Sequence, residues 1–299
     1  RWSAIILYIC TAVAVTIVFY TSPLRKHFGN YTYDQLMKFN PNQNTPQTVI
    51  LIDVDKNLKQ PPSADLHFTT LEKYRIVANT LKETTPTVVA YLFLPSIFEF
   101  TRLAAHDLTG LNHPNALTRF GVMGFDFATP SQKKLPPPIA RFTDALFGME
   151  TFRQRRQQTV RAVPNWAFRG NDRRRLIASQ IHLDFIKLSS NSKPVNHTAQ
   201  IAWEPSSINY FNNGNYHRHS LEDLIRDPVF SHKLDGAIIL VGSSLYRERP
   251  IRHDQIYLNT PWQVEGEDPS KGVSVIELIA THIDNLISHT EIYPLSYEK

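Results

Sequence analysis

Asp53 and Asp55 close the run Val49-Ile50-Leu51-Ile52-Asp53-Val54-Asp55, so two carboxylates stand two residues apart where an apolar, β-branched stretch ends. An open α/β sheet gathers its ligands at the carboxyl ends of its strands, and there the pair could hold a cation or a polar ligand. Strand-end carboxylates can equally cap nearby backbone amides. Val241-Gly242-Ser243-Ser244 follows a second apolar run but lacks the Lys-Ser/Thr pair of a nucleotide loop, and no G-x-G-x-x-G occurs. The glycine is expected to permit a tight turn. His217 and His219 flank Arg218; in a strand they would share a face and could both ligate a metal. The arginine between them and the absence of a neighbouring carboxylate favour a solvated loop. His282, near Asp284, is the other histidine beside an acid. No G-x-S-x-G, H-E-x-x-H or D-F-G set is present, and no nucleophile and base can be paired. Neither enzyme activity, a cofactor nor a metal is therefore expected.

The elements that would position these residues follow from hydrophobic periodicity. Thr48–Val54 reads as a buried strand and Leu71–Leu81 as a helix stopped before Pro86, with Leu71, Tyr74, Ile76, Val77 and Leu81 at near-helical spacing. Thr87–Leu94 is the next strand. Phe120–Phe127 reads as a strand, Pro138–Phe147 as a helix, Arg173–Leu188 as an amphipathic helix and Ile201–Trp203 as a strand. Ser220–Ile225 reads as a short helix with Ser220 as N-cap and Asp223 three residues on. Gly236–Gly242 is a buried strand, and Gly272–Ser288 a helix with Val273, Ile276, Ile279, Ala280, Ile283, Leu286 and Ile287 inward. Alternating strands and helices predict an α/β fold: a mainly parallel or mixed sheet with helices on both faces and right-handed crossovers.

With 42% hydrophobic and 20% charged residues, the 299-residue chain is neither polytopic nor disordered as a whole. Its most apolar stretch, Ala4–Tyr20, has no charge, and Trp2–Ser22 as a helix would be about 30 Å long, the thickness of a bilayer's hydrocarbon. A transmembrane helix over 3–22 is expected, then a linker over 23–47 and one α/β domain over 48–299. A cleaved signal peptide fits less well because no small-x-small site follows Tyr20, and a core helix would carry a polar face. The single cysteine, Cys10, lies in this stretch and permits no intrachain disulfide. Much of the net charge of +5 sits between Arg153 and Arg175, including Arg155, Arg156, Arg173, Arg174 and Arg175. On an anchored chain this basic stretch suits protein subunits or anionic lipid, not nucleic acid.

The order of motifs resembles the second type of CHASE domain, the extracytoplasmic sensor of bacterial cyclases, histidine kinases and Ser/Thr kinases. The likeness spans roughly Val49–Lys299. It rests on Val49-Ile50-Leu51-Ile52-Asp53-Val54-Asp55, the helix with Tyr74-Arg75, Gly121-Val122-Met123-Gly124-Phe125, and Thr159-Val160-Arg161-Ala162-Val163-Pro164. Ile208-Asn209-Tyr210, Ser220–Ile225, Leu234-Asp235-Gly236 to Gly242, Asp254, Thr260-Pro261 and Gly272-Val273 continue it. The resemblance implies a cytoplasmic N-terminus, one span and a sensor in the periplasm, then further spans and an output module beyond Lys299 if one exists. That topology opposes the reading of Arg25, Lys26 and His27 by the positive-inside rule. It implies a ligand site from Asp53, Asp55, Arg75, Asp254 and Thr260. Two departures, Ala90-Tyr91-Leu92-Phe93 in place of a strand ending Phe-Asp and Arg156-Gln157-Gln158 in place of Asp-x-Asp-Gly, favour an altered or purely structural use of the fold. Two functions are thus expected in competition: a sensor input domain, or a non-catalytic scaffold subunit of a membrane complex docking through the basic stretch or associating with itself.

Overall fold

A computed structural model describes residues 2–21, 23–39, 48–55, 66–93, 108–124, 145–148, 161–163, 166–169, 172–189, 206–210, 216–226, 230, 233–243, 257–258, 261 and 273–288. The chain is an α/β protein. Its sheet is built from β1 (Val49–Asp53), β2 (Val88–Phe93), β3 (Leu117–Gly124), β4 (Ala145–Gly148), β9 (Arg218–Ser220) and β10 (Ile238–Gly242). The spatial order is β4-β3-β2-β10-β1-β9, and every neighbouring pair is parallel. Three two-stranded pieces lie outside it: β5 (Ala162–Val163) with β8 (Ser206–Ser207), β6 (Trp166–Arg169) with β7 (Asp172–Arg175), and β11 (Tyr257–Leu258) with β12 (Val273–Ser274), all antiparallel.

The central strands β1, β2 and β10 are buried at every residue, which explains why they read as continuous apolar runs with no alternation. Helices cover both faces. In α3 (Leu66–Leu81), Tyr74 packs edge-on against Phe93 and beside Tyr91, and its hydroxyl donates to the Leu92 carbonyl (2.6 Å). Tyr91 also stacks with Phe120. The intervening Leu92 points the other way. A Cβ placed on Gly121 would lie 2.9 Å from Leu92 and from Ile177 at the start of α4 (Ile177–Ser189). One on Gly242 would lie 2.8 Å from Ile276 of α6 (Val275–Ser288). So α3 occupies one face, with the short α5 (Leu221–Arg226) beside it, and α4 and α6 occupy the other.

Residues 276–286 of α6 are all buried, whereas a one-sided helix was expected. Several of its polar residues are tied down by hydrogen bonds. Ser274 and Glu277 form a reciprocal cap, Thr281 donates to the Glu277 carbonyl (2.8 Å), and Asn285 clamps Asn209 through both that residue's amide (2.8 Å) and its carbonyl (3.0 Å). Tyr216 donates to both Asp284 and the Val49 carbonyl. A helix enclosed by sheet, α4 and the 208–210 segment cannot leave such groups unpaired without a cost of about 1–3 kcal/mol each.

Other expectations shift in detail. Asp172–Arg175 is a strand paired with β6, so the helix expected from Arg173 begins only at Ile177. The end of the helix expected over Pro138–Phe147 is instead strand β4, and residues 138–144 lie outside the described residues, as do 201–203. Ser220 caps α5 as expected: its hydroxyl accepts the Asp223 amide (3.1 Å), and Asp223 accepts that of Ser220 (2.7 Å). Gly242 ends β10 under Ile276, where close packing and not a turn excludes a side chain. Among the described glycines only Gly236, at φ 71°, adopts the left-handed conformation, in the turn where Asp235 accepts from the Thr85 amide (2.8 Å) and hydroxyl (2.7 Å).

N-terminal to the sheet lie α1 (Trp2–Thr21) and α2 (Pro23–Phe39). Proline opens α2 at the position where its missing N–H costs nothing. Although expected to be a linker, α2 docks on the domain: Met37 and Tyr33 are buried, the Tyr33 hydroxyl donates to the Ile208 carbonyl, and Asp34 takes two bonds from Arg161 (2.8 and 2.6 Å). Its other side exposes Phe28, Tyr31, Leu36 and Phe39. Ile5, Ile6, Tyr8, Ile9, Val13, Val15 and Val18 of α1 are exposed, and at 100° per residue they lie all round the helix. Among the described residues, no helix is long and apolar enough to cross a membrane.

Candidate functional site

Strand β1 is followed in the chain by α3 on one face, whereas the helix that follows the adjacent β10 among the described residues, α6, packs on the opposite face. The carboxyl ends of β1 and β10 therefore flank the point where connections diverge, and in open parallel sheets that divergence leaves a crevice suited to ligands. Asp53 lies opposite Gly242 there, and the Val54 amide donates to the Gly242 carbonyl (3.0 Å).

Both carboxylates at this point are fully buried, yet each meets a cation from a different element. Asp53 accepts Arg218 of β9 at 3.2 Å, and Asp55 is ion-paired with Lys73 of α3 and accepts the Ser243 hydroxyl. Arg218 also reaches Glu277 of α6 at 3.3 Å. Glu277 in turn accepts the Ser274 amide (2.8 Å) and hydroxyl (2.6 Å). Burial raises the Glu277 pKa, while Arg218 and the Ser274 donors hold it back. Asp53 also accepts the Asp55 amide at 3.1 Å, so this carboxylate caps backbone as well as pairing with a cation. The result is a chain of charge, Lys73, Asp55, Asp53, Arg218, Glu277, that joins both helical layers across the sheet edge.

Of the ligand residues expected from sequence, Asp53 and Asp55 meet here. Arg75 sits on the exposed side of α3, about 200° round the helix from Lys73, which takes the place foreseen for it. Asp254 and Thr260 lie outside the described residues, as do Arg155 and Arg156. Arg173, Arg174 and Arg175 form β7, and their backbone pairs with Phe168, Ala167 and Trp166. Lys73, Arg218, Ser243 and Glu277 were not foreseen. Only the Ser274-x-x-Glu277 spacing, a capping box, could have marked one of them.

The histidines divide. The His217 and His219 rings meet edge to face with centroids 4.4 Å apart, and His219 packs against Phe230 at 4.2 Å, so His219 is half-buried in β9 and not in the solvated loop expected. His182 of α4 and His282 of α6 are buried, and burial with the neighbouring His182 lowers the His282 pKa to about 3. Burial raises the Asp284 pKa to about 7 against its hydrogen bonds from Tyr216 and the Val49 backbone. Among the described residues no group of three His, Cys, Asp or Glu side chains could hold a metal ion.

No protein family, characterised protein or solved structure matches the chain.

Proposed function

We propose that the chain is the non-catalytic input domain of a membrane-anchored bacterial signalling protein, related to the second type of CHASE sensor and lying in the periplasm. One observation carries this reading: the charge cluster occupies the divergence between β1 and β10, a ligand crevice in open parallel sheets, and ties elements of both layers together. A ligand there would act on α3, β9 and α6 at once. The anchor would be α1, whose 20 residues carry no charge and extend about 30 Å.

The test is the melting temperature of the full chain in detergent with inorganic phosphate, succinate, magnesium, putrescine or glucose. At least one probe is expected to raise it for the wild type and not for Asp53→Asn. No response to any probe would sink the input reading. The competing role, a scaffold subunit, is favoured by the exposed Phe28, Tyr31, Leu36 and Phe39 on α2 and would then be preferred. Orientation has its own measurement. In a Cys10→Ser background, a cysteine at the exposed Glu83 should react with a membrane-impermeant maleimide on spheroplasts; labelling only after lysis would put the domain in the cytoplasm.

A further inference from the structure

Helix α2 has two faces with different surroundings. Tyr33 and Met37 are buried, and Asp34 is held to the domain by Arg161. At 100° per residue the exposed Phe28, Tyr31, Leu36 and Phe39 share the opposite side, within an arc of about 140°. Phe39, 84% exposed, is the barest of them. A single residue separates α2 from α1, which carries no charge. Standing upright on the end of α1, α2 would hold the Phe39 ring in water about 27 Å beyond Thr21. Laid along a bilayer surface, it would bring all four side chains to one depth. Its composition suits that place: Arg25, Lys26 and Lys38 are basic, and its one acid, Asp34, is paired with Arg161 of the domain. Lys38 is exposed at the border of the arc, beside Tyr31, where its stem can lie along lipid while its ammonium reaches the phosphates. Thr32, inside the arc, gives its hydroxyl to the Phe28 carbonyl (2.9 Å), so it enters a less polar medium with its donor satisfied. A second copy of the chain fits this face less well. The seam Phe28, Thr32, Gln35, Phe39, spaced as a helix pair requires, has polar residues at both central positions.

We infer that the outer face of α2 lies in the headgroup region of an anionic bilayer, with the α/β domain docked on its back. This rests on the reading of α1 as the membrane anchor and adds to it the surface on which the domain is seated.

The experiment places an environment-sensitive fluorophore on Thr32→Cys or, separately, on Val13→Cys of α1, in a Cys10→Ser background. The full chain is reconstituted in vesicles of phosphatidylcholine with phosphatidylglycerol, or of phosphatidylcholine alone, carrying a nitroxide either near the headgroups or deep in the acyl chains. Emission from position 32 is expected to shift to the blue and to be quenched by the shallow nitroxide more than by the deep one, and more strongly with phosphatidylglycerol present. Position 13 should be quenched by the deep nitroxide. Phe28→Asp with Phe39→Asp changes only exposed side chains, so the domain should fold as before, with the quenching at 13 retained and that at 32 lost. Quenching at 13 with none at 32 overturns the inference and leaves the anchor standing. Quenching at 32 with none at 13 keeps the lipid face and removes the anchor. Quenching at neither overturns both. Quenching at 32 that is as strong without phosphatidylglycerol, or unchanged by the two aspartates, overturns the inference as well. An oxidative cross-link between Thr32→Cys copies in the vesicles, without quenching, assigns the face to a second copy of the chain and overturns it too.

Discussion

Replacing Lys73 by Met should destabilise the domain by about 3–5 kcal/mol, the cost of leaving a buried charge without its partner. Asp55 has no exposed side-chain surface; without Lys73 it would keep the Ser243 hydroxyl but no cation. The reverse substitution should cost less. In Asp55→Asn the ammonium of Lys73, already 22% exposed, can turn further into water on its flexible stem, so the loss should be about 1–2 kcal/mol. Asp55→Asn added to Lys73→Met should then recover most of what Lys73→Met lost, since two neutral side chains replace an unpaired carboxylate. Urea denaturation of the four proteins, read as a double-mutant cycle, checks this. Equal and additive costs for the two single changes would show that Asp55 and Lys73 are not a coupled buried pair.

The central strands were legible because burial on both faces leaves the same mark on any parallel sheet: Val49–Asp53, Val88–Phe93 and Ile238–Gly242 are apolar without alternation and fall inside the expected runs. The Ser220 cap was legible because it is local, made within four residues. The pairing of Asp53 with Arg218 was not, since 165 residues separate them and only the placing of β9 beside β1 brings them together. Arg218 was noticed as the residue between two histidines, with no sign that its side chain would cross to Asp53 and Glu277. Arg75 enters through the resemblance and not through the periodicity; with Tyr74 on the buried side of α3, Lys73 and Arg75 flank it about 200° apart, and it is Lys73 that meets Asp55. The periodicity of α6 was read from its apolar residues, yet Glu277, His282, Asp284 and Asn285 are as buried as those. Nothing in a single sequence reveals that a third layer of chain will cover a polar face.

That enclosure makes α6 the seat of two opposed pH dependences, separable by two substitutions. His282 is held neutral by burial, with its pKa lowered from 6.5 to about 3 and His182 adding to the shift. The unfolded chain binds its proton first as pH falls, so this contribution is complete above pH 6.5 and is lost toward pH 3. Asp284 is held protonated by burial, with its pKa raised from 3.8 to about 7. Its contribution is complete below pH 3.8 and is lost as pH rises through about 7. Between about pH 4 and 6.5 one group gains about 1.4 kcal/mol of stability per pH unit and the other loses the same. Their sum is nearly flat in the wild type. Asp284→Asn keeps an acceptor for the Tyr216 hydroxyl and removes the titration, so stability should climb with pH across this window by roughly 1.4 kcal/mol per unit. His282→Met, close in volume, should fall by a similar amount per unit, and more steeply where Glu277, also raised by burial, titrates with Asp284. Urea midpoints measured from pH 4 to 6.5 on the three proteins separate the slopes. If both variants keep the wild-type profile, neither side chain is held in the charge state that the burial of α6 imposes.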